Sequence, residues 1–333
     1  MNLLILSYAG HSNKLENAAK KKGHTVRILN PDKCYLYVSD KESGFDAIYY
    51  NDGTDTPEKI LIKDIDFIIP RISKAEYGAS LVEHLNLNLK IKSTQSALGI
   101  LTAANKWKTQ QKLSQSKIKV PKTFFASDPV HAEFLINKVA NLKNNEPVII
   151  KTVEGSQGTG VLILRNPDDA NQVLASLHKN NIKVIIQQYI EADSKDIRVI
   201  VAGSLTDEPI VIAAMERTAP KDSLKANLSQ GGTGKKIDLT EEEQKIAIQA
   251  AASVGLNLAG VDLIRDKNGT CYCIEVNSNF GLKIESITGI NVSEKIIEFC
   301  EREFKAKRSV NQTFEEYQER NNQMKAVLNG LKK

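Results

Sequence analysis

Three stretches of the chain gather residue types suited to phosphate and divalent metal. The first is VIIKTVEGSQGTGVLIL, residues 148–164. Lys151 ends an apolar run, glycines at 155, 158 and 160 follow, and a second apolar run begins. Strand, glycine loop and strand can fold over a triphosphate, with backbone N–H groups facing the oxygens and the lysine adding a point charge. A surface hairpin with glycines at its turn gives the same pattern. Neither this loop nor GGTGKK at 231–236 closes with the Lys and Ser/Thr of a Walker loop. The second stretch is AGVDLIRDKNGTCYCIEVNSNFGL, 259–282. Asp262 lies on one expected strand; Glu275 and Asn277 lie on the next, two residues apart and so on one face. Two acids and an amide form an oxygen-ligand set, and Mg²⁺ takes few protein oxygens. The alternative is a turn-capping Asp262 and a solvated Glu275. Their apolar flanks favour a partner, because buried acids are costly alone. The third stretch runs from DIRVIVAG at 196–203 through AAMER at 213–217 to the polar loop with Lys221, Lys225 and Asn227. Arg198 and Arg217 fall on neighbouring expected strands, with Glu216 facing the other side. Cations beside a metal–phosphate cluster suit a reaction that builds negative charge.

The elements that must position these groups can be read from hydrophobic periodicity. Residues 2–7, 14–23 and 24–29 predict a βαβ start, stopped at Gly23. Its SYAGHS loop lacks the GxGxxG of a dinucleotide site. Further strands are expected at 66–72, 122–127, 147–152, 160–164, 183–190, 197–203, 209–217, 258–265 and 270–277. Helices are expected at 76–88, twice within 93–116, then at 131–143, 168–179, 240–254 and 291–304. Residues 313–331 read as an amphipathic helix with Phe314, Tyr317, Met324, Leu328 and Leu331 on one stripe. It would pack on its own body or, with Asn321 in the seam, pair with another subunit.

The ordered series resembles the ATP-grasp superfamily and, within it, the RimK-type α-L-glutamate ligases. The resemblance spans about residues 1–304 and includes GHTVRILNPDKCY and IPRIS near the N-terminus. It implies an α/β (α+β) chain, an ATP-grasp fold with an N-terminal pre-ATP-grasp βαβ domain over 1–93. A central subdomain with the glycine flap over 94–182, a C-terminal subdomain with the metal site over 183–304 and a basic tail over 305–333 would follow. By the same resemblance, Lys106 and Lys151 contact ATP phosphates, and Gly155, Ser156, Gln157 and Gly158 form the flap. Gln188 and Tyr189 match the adenine-reading strand, Asp196 a nucleotide-binding acid, and Lys225, Ala226 and Asn227 the loop near the phosphates. Asp262, Glu275 and Asn277 match the ligands of two Mg²⁺ or Mn²⁺ ions. Arg217, with Arg198, would steady an acyl phosphate and the tetrahedral intermediate.

The implied activity is an ATP-dependent carboxylate–amine ligase that adds an amino acid, glutamate foremost, to the C-terminal carboxylate of a protein or peptide. A ligase acting on an amino-group carrier protein or small peptide, and an inactive nucleotide-binding scaffold, are the alternatives. The sequence departs from the family at QQY for QEY, at Lys225 for Arg, at NLSQGG for NLHRGG and at NSNFGLKIE.

Composition narrows the classes further. A hydrophobic fraction of 41% and a charged fraction of 26% are those of an ordinary globular chain. The net charge is +5, and residues 305–333 hold seven Lys/Arg against three Glu. The body is therefore nearly neutral, which argues against a basic nucleic-acid groove. No run approaches a membrane span, and MNLLILSYAG lacks a basic leader, so the cytoplasm is expected. A dimer or tetramer is a possible assembly. Four cysteines without CxxC spacing and five scattered histidines predict no zinc or redox motif.

Overall fold

The computed structural model describes residues 1–8, 10, 12–40, 46–60, 62–126, 132–140, 146–155, 160–206, 208–220 and 231–306. The chain starts with β1 (Asn2–Ser7), α1 (Asn13–Lys21) and β2 (Thr25–Leu29). Residues 30–65, where the pattern predicts nothing regular, add β3 (Cys34–Tyr37), β4 (Ala47–Tyr50) and β5 (Glu58–Lys59) as a small antiparallel sheet. Then come β6 (Phe67–Arg71), α2 (Ala75–Glu83) and β7 (Lys92–Ser93). β2-β1-β6-β7 form a parallel sheet in that order. The helix expected over 76–88 ends at Glu83 and widens into a π turn, His84–Asn88. There the buried His84 places Nε2 3.0 Å from the Ala47 carbonyl oxygen, tying the turn to the small sheet.

Two capped helices lead into the second unit. Ser96 accepts from Gly99 N at 3.0 Å and starts α3 (Ala97–Ala104). Asn105 accepts from Lys108 N at 2.9 Å and starts α4 (Lys106–Gln115). Each cap satisfies an N–H that a helix start leaves without a partner. β8 (Thr123–Phe125), α5 (Ala132–Val139), β9 (Val148–Thr152), β10 (Val161–Leu164), α6 (Pro167–Lys179) and β11 (Val184–Gln188) follow. The sheet order is β10-β9-β11-β8. Val148, Ile150 and Ile186 pack on Leu135, Ile136 and Leu174 of the helices. The period of two then turns Lys151 and Gln187 to the opposite face. β11, expected to open the third segment at 183, hydrogen-bonds into this sheet through β9 and β8.

The last unit comprises β12 (Lys195–Ala202), β13 (Ile210–Thr218), β14 (Thr233–Lys236), α7 (Glu241–Ser253), β15 (Leu258–Arg265), β16 (Cys271–Asn277), α8 (Ile284–Thr288) and α9 (Val292–Lys305). The antiparallel order is β14-β13-β12-β15-β16. GGTGKK thus supplies an edge strand. One sheet face, with Ile197, Val199, Ala214, Val261, Leu263, Cys273 and Val276, packs on Ala247, Ala250 and Ala251 of α7. α7 begins with a reciprocal capping box between Thr240 and Glu243. The other face, with Ile200, Ala202, Ala213, Met215 and Leu258, shares one core with Leu3, Ile5, Phe67 and Ile69 of the parallel sheet and with α9. The two sheets are therefore joined by apolar side chains, not by a linker alone. The tail helix expected over 313–331 lies outside the described residues.

A second join is a close backbone approach. A Cβ on Gly99 of α3 would stand 2.9 Å from the Gly255 carbonyl carbon and closer still to its oxygen. Backbone on both sides cannot yield cheaply. Gly99→Ala is expected to lower stability by about 1–3 kcal/mol, read as a lower midpoint in urea. An unchanged midpoint would show that this contact is loose.

Candidate active site

The row of face-sharing residues on the five-stranded sheet changes character along its length. Ile200 and Ala202 on β12 give way to Arg198 and Asp196; Met215 on β13 gives way to Arg217; Leu258 on β15 gives way to Asp262. Register places Asp196 beside Arg217, Arg198 beside Asp262, and Asp262 beside Glu275. Arg217 Nε and Nη2 donate to the two Asp196 oxygens at 2.6 and 2.8 Å. Arg217 Nη2 also lies 3.2 Å from Asp262 Oδ1. Arg198 closes the series by donating Nε to Asp262 Oδ1 and Nη2 to Oδ2, the latter at 2.9 Å. The result is a buried line of alternating charge, Arg198–Asp262–Arg217–Asp196.

At three of these groups burial and neighbouring charge oppose one another. Burial pushes Asp262 up, but Arg198 and Arg217 outweigh it and hold the carboxyl below the usual aspartate range. Burial also pushes Asp196 up, and there Arg217 only partly offsets it. Burial favours a neutral Arg217, yet Asp262 and Asp196 keep it firmly charged.

Glu275 owes its position to a bulge. The pairing steps from Asp262↔Glu275 to Leu263↔Cys273, leaving Ile274 unpaired. Cys273 and Val276, three apart, can then both enter the core while Glu275 and Asn277 stay on the charged face. The buried Gln110 of α4 donates to the Ile274 carbonyl at 3.1 Å, and Cys273 N donates to Lys119 O at 2.9 Å. The bulge is thereby clamped from outside. The Glu275 carboxylate is half-buried and has no hydrogen bond or ion pair among the described residues. Asn277 Nδ2 donates over long distances to Gly260 O, 3.4 Å, and Asp262 Oδ2, 3.5 Å, and its Oδ1 has no hydrogen bond among the described residues.

This donor set fits a hard divalent ion. Asp262 Oδ1 is taken by both arginines, but Oδ2, on the Asn277 side, takes only Arg198 closely and keeps acceptor capacity. With Glu275 and Asn277 Oδ1 it makes a small all-oxygen set, as Mg²⁺ prefers. Among the described residues no site gathers three His, Cys, Asp or Glu; here an amide is the third member.

The four-stranded sheet supplies the opposing wall. Lys151 Nζ donates to Gln187 Oε1 at 2.7 Å, and Gln187 Nε2 donates to Thr123 Oγ1 at 2.9 Å. Burial lowers the Lys151 pKa; Glu275 and Asp262 raise it and Lys106 lowers it further. These acids act on Lys151 from the other sheet, so the cleft is one electrostatic unit. Lys106 N donates to Val153 O at 2.9 Å, and its Nζ donates to Gly155 O at 2.8 Å, fastening α4 to the base of the glycine loop. Gln188 N donates to Lys122 O at 2.8 Å within the sheet, and Tyr189 is half-buried just beyond.

The structure thus brings together Lys151, Arg198, Arg217, Asp196, Asp262, Glu275 and Asn277. Ser156, Gln157, Gly158, Lys225, Ala226 and Asn227 lie outside the described residues. Sequence reasoning missed two holders, Gln187 and Gln110. Gln187 had a signal, a polar residue ending the run VII; Gln110 on a polar helix had none. Burial raises the pKa of all four free cysteines, Cys34 and Cys271 to about 12 and Cys273 and Cys300 well above the ordinary thiol value, which disfavours their thiolates.

With this geometry in hand, the chain can be compared with known proteins. A RimK PreATP-grasp domain model matches residues 1–100, and a RimK-like ATP-grasp domain model matches residues 103–300. A probable alpha-L-glutamate ligase of Haemophilus influenzae is 35% identical over 295 residues, covering 86% of this chain and 92% of the relative. Among solved structures, the RimK domain protein ATP-grasp of Sphaerobacter thermophilus superposes with a TM-score of 0.66 at 17% identity, covering 90% of this chain and 99% of that one. The ATP-grasp ligase PsnB, solved with a minimal precursor, Mg and ADP, gives 0.65 at 14% identity over 91% and 98%.

The two carboxylates nearest the proposed metal should behave differently when removed. Asp262→Asn leaves two buried arginines poorly matched and is expected to cost about 3–5 kcal/mol. Glu275→Gln changes a carboxylate that has no hydrogen bond or ion pair among the described residues and should stay within about 0.5 kcal/mol of wild type. Because the folded pKa of Asp262 is depressed, its contribution is complete above about pH 4 and fades as pH falls through the folded value. The difference in melting temperature between wild type and Asp262→Asn should shrink on acidification. A large loss in Glu275→Gln, or a difference that grows in acid, would contradict this arrangement.

Proposed function

The chain belongs to the RimK-like ATP-grasp family, and from that premise we propose that it adds an amino acid, glutamate foremost, to the C-terminal carboxylate of a protein or peptide. The coarser activity, an ATP-grasp ligase that forms a C–N bond, comes with the family. The finer reading rests on one observation: Glu275, a carboxylate without a hydrogen bond or ion pair among the described residues, stands beside a charge-balanced arginine–aspartate line and acts electrostatically on the half-buried Lys151.

The proposed chemistry needs no nucleophile from the protein. The acceptor carboxylate attacks the terminal phosphorus of ATP, ADP leaves, and an acyl phosphate forms. The amine then attacks the acyl carbon, phosphate leaves with the bonding pair, and the amine proton passes to water or phosphate. Lys106 and Lys151 would hold the phosphates, and Arg217 and Arg198 would face the charge that builds on the transferred group and acyl oxygen. Asp196, expected at the nucleotide, has both oxygens on Arg217. We therefore assign it to fixing that arginine. Asp262, Glu275 and Asn277 would hold one or two Mg²⁺ or Mn²⁺ ions, which when bound neutralise phosphate charge. Fixing these groups in advance matters because no reorganisation is then needed as charge develops.

The peptide-acceptor reading is supported by fold neighbours such as PsnB, which was also solved with a precursor peptide. The glutamate assignment is supported by relatives named probable alpha-L-glutamate ligases. Among the described residues no helix is long and apolar enough to cross a membrane.

ADP release with glutamate and candidate peptides should depend on both substrates. Glu275→Ala should lower that rate at least a hundredfold at unchanged melting temperature. Equal rates for wild type and Glu275→Ala would defeat the ligase mechanism at this site.

A further inference from the structure

One buried cation has no role in the cleft as described so far. Arg71 ends β6, is only 6% exposed, and donates Nη2 to the Phe280 carbonyl. Its guanidinium carbon lies 4.9 Å from the Phe280 ring centroid. Nε and Nη1 are buried and have no hydrogen-bond partner among the described residues. Among the described residues no carboxylate compensates it: burial acts on Arg71 and lowers its pKa to about 10. The other deeply buried arginine, Arg217, has a carboxylate at hydrogen-bond distance, as do the less buried Arg198 and Arg265. A buried polar group left without partners calls for a physical explanation, and a charged one more so.

The location supplies one. In the order β2-β1-β6-β7 the chain moves from β1 to one side and later returns to the other, so the connectivity reverses between β1 and β6. Ligands of open α/β sheets sit at the carboxyl ends of the strands at such a reversal. Ser7 and Arg71 are the last residues of β1 and β6 and are register partners. They share the face that looks toward the five-stranded sheet, beyond Leu3, Ile5, Phe67 and Ile69. Ser12 does not cap α1; its Oγ donates instead to Ser7 Oγ at 2.7 Å. The first N–H groups of α1 are left without a side-chain cap, and a helix start favours an anion. From Arg71 the contacts lead to the metal side. Phe280 packs so closely on Gly260 that a Cβ there would be 2.8 Å from Phe280 Cβ, and Gly260 is two residues from Asp262.

We propose that Arg71, with Ser7 and the start of α1, is the receptor for a carboxylate of the incoming amino acid, which itself reacts through its amine. The inference rests on the ligase reading for the identity of the anion. It deepens that reading by requiring the amine substrate to carry a carboxylate. Arg198 and Arg217 are engaged by Asp262 and Asp196, whereas Nε and Nη1 of Arg71 are uncommitted donors. A carboxylate reaching them beside Phe280 would match the charge that the fold leaves unmatched. The amine would then be carried toward the acceptor bound at the metal side.

Equilibrium dialysis of radiolabelled L-glutamate against the full-length protein, with ADP and Mg²⁺ present, tests this without turnover. Wild type should bind saturably, and the α,γ-diamide of glutamate should not compete. Arg71→Met should weaken glutamate binding at least thirtyfold, and Arg71→Lys by less. ADP binding and the KM for a peptide acceptor should remain within twofold. The melting temperature of Arg71→Met should not fall, because an unmatched buried charge is removed. Wild-type-like glutamate binding by Arg71→Met, competition by the diamide, or no saturable binding to wild type would overturn the receptor. A shifted peptide KM with unchanged glutamate binding would overturn it too, by assigning Arg71 to the acceptor. Failure of the ligase reading looks different: glutamate binds, but no ADP is released with any peptide.

Discussion

The buried line Arg198–Asp262–Arg217–Asp196 is the constraint on which the rest of the cleft depends. On one sheet face two charges are buried, Asp262 and Arg217, and two are largely withdrawn from water, Arg198 and Asp196; each is tolerated because the next has the opposite sign and a hydrogen-bonding geometry. Antiparallel register brings this about, since it sets β12, β13 and β15 so that 196 meets 217 and 198 meets 262. A one-residue slip in any pair would turn one member to the α7 side and strand its partner. The line is charge-balanced within itself, so additional positive charge on Lys151 and negative charge on Glu275 remain available to a ligand.

The same face explains how the units cooperate. Its far end is apolar and forms the common core with the parallel sheet and α9. Its near end is charged and looks toward Lys151. Packing at one end therefore fixes the geometry at the other, and side chains such as Phe280 stand at the change from apolar to polar. The bulge at Ile274 does comparable work on β16: it separates a core cysteine from a cleft carboxylate that strict alternation would place together.

The elements that carry the site were legible because their signals are local. Lys151 ends an apolar run, and Asp262, Glu275 and Asn277 break apolar strands at fixed spacing. The pairing of Asp196 with Arg217 was not legible, for the two lie 21 residues apart and meet only through register. The bulge was equally hidden, since CYCIEVN reads as plain alternation. β3, β4, β5 and β14 escaped because short, partly exposed strands carry little periodicity. The helical stretch near 76–88 is present, and only the change of its last turn from α to π is invisible in the sequence. A strand's sequence does not name its partners, so the pairing of β11 with β9 and β8 is visible only in the structure. Gln187 stood in plain view as the end of an apolar strand, yet only the structure shows it holding Lys151.

The central claim, that Asp262 and Arg217 are coupled across the line rather than merely near one another, is tested most directly by a double-mutant cycle. Unfolding free energies of wild type, Asp262→Asn, Arg217→Met and the double variant would be measured in urea at neutral pH. The account predicts a coupling of about 2 kcal/mol or more, the double variant losing far less than the sum of the singles. Losses that add to within about 0.5 kcal/mol would contradict it.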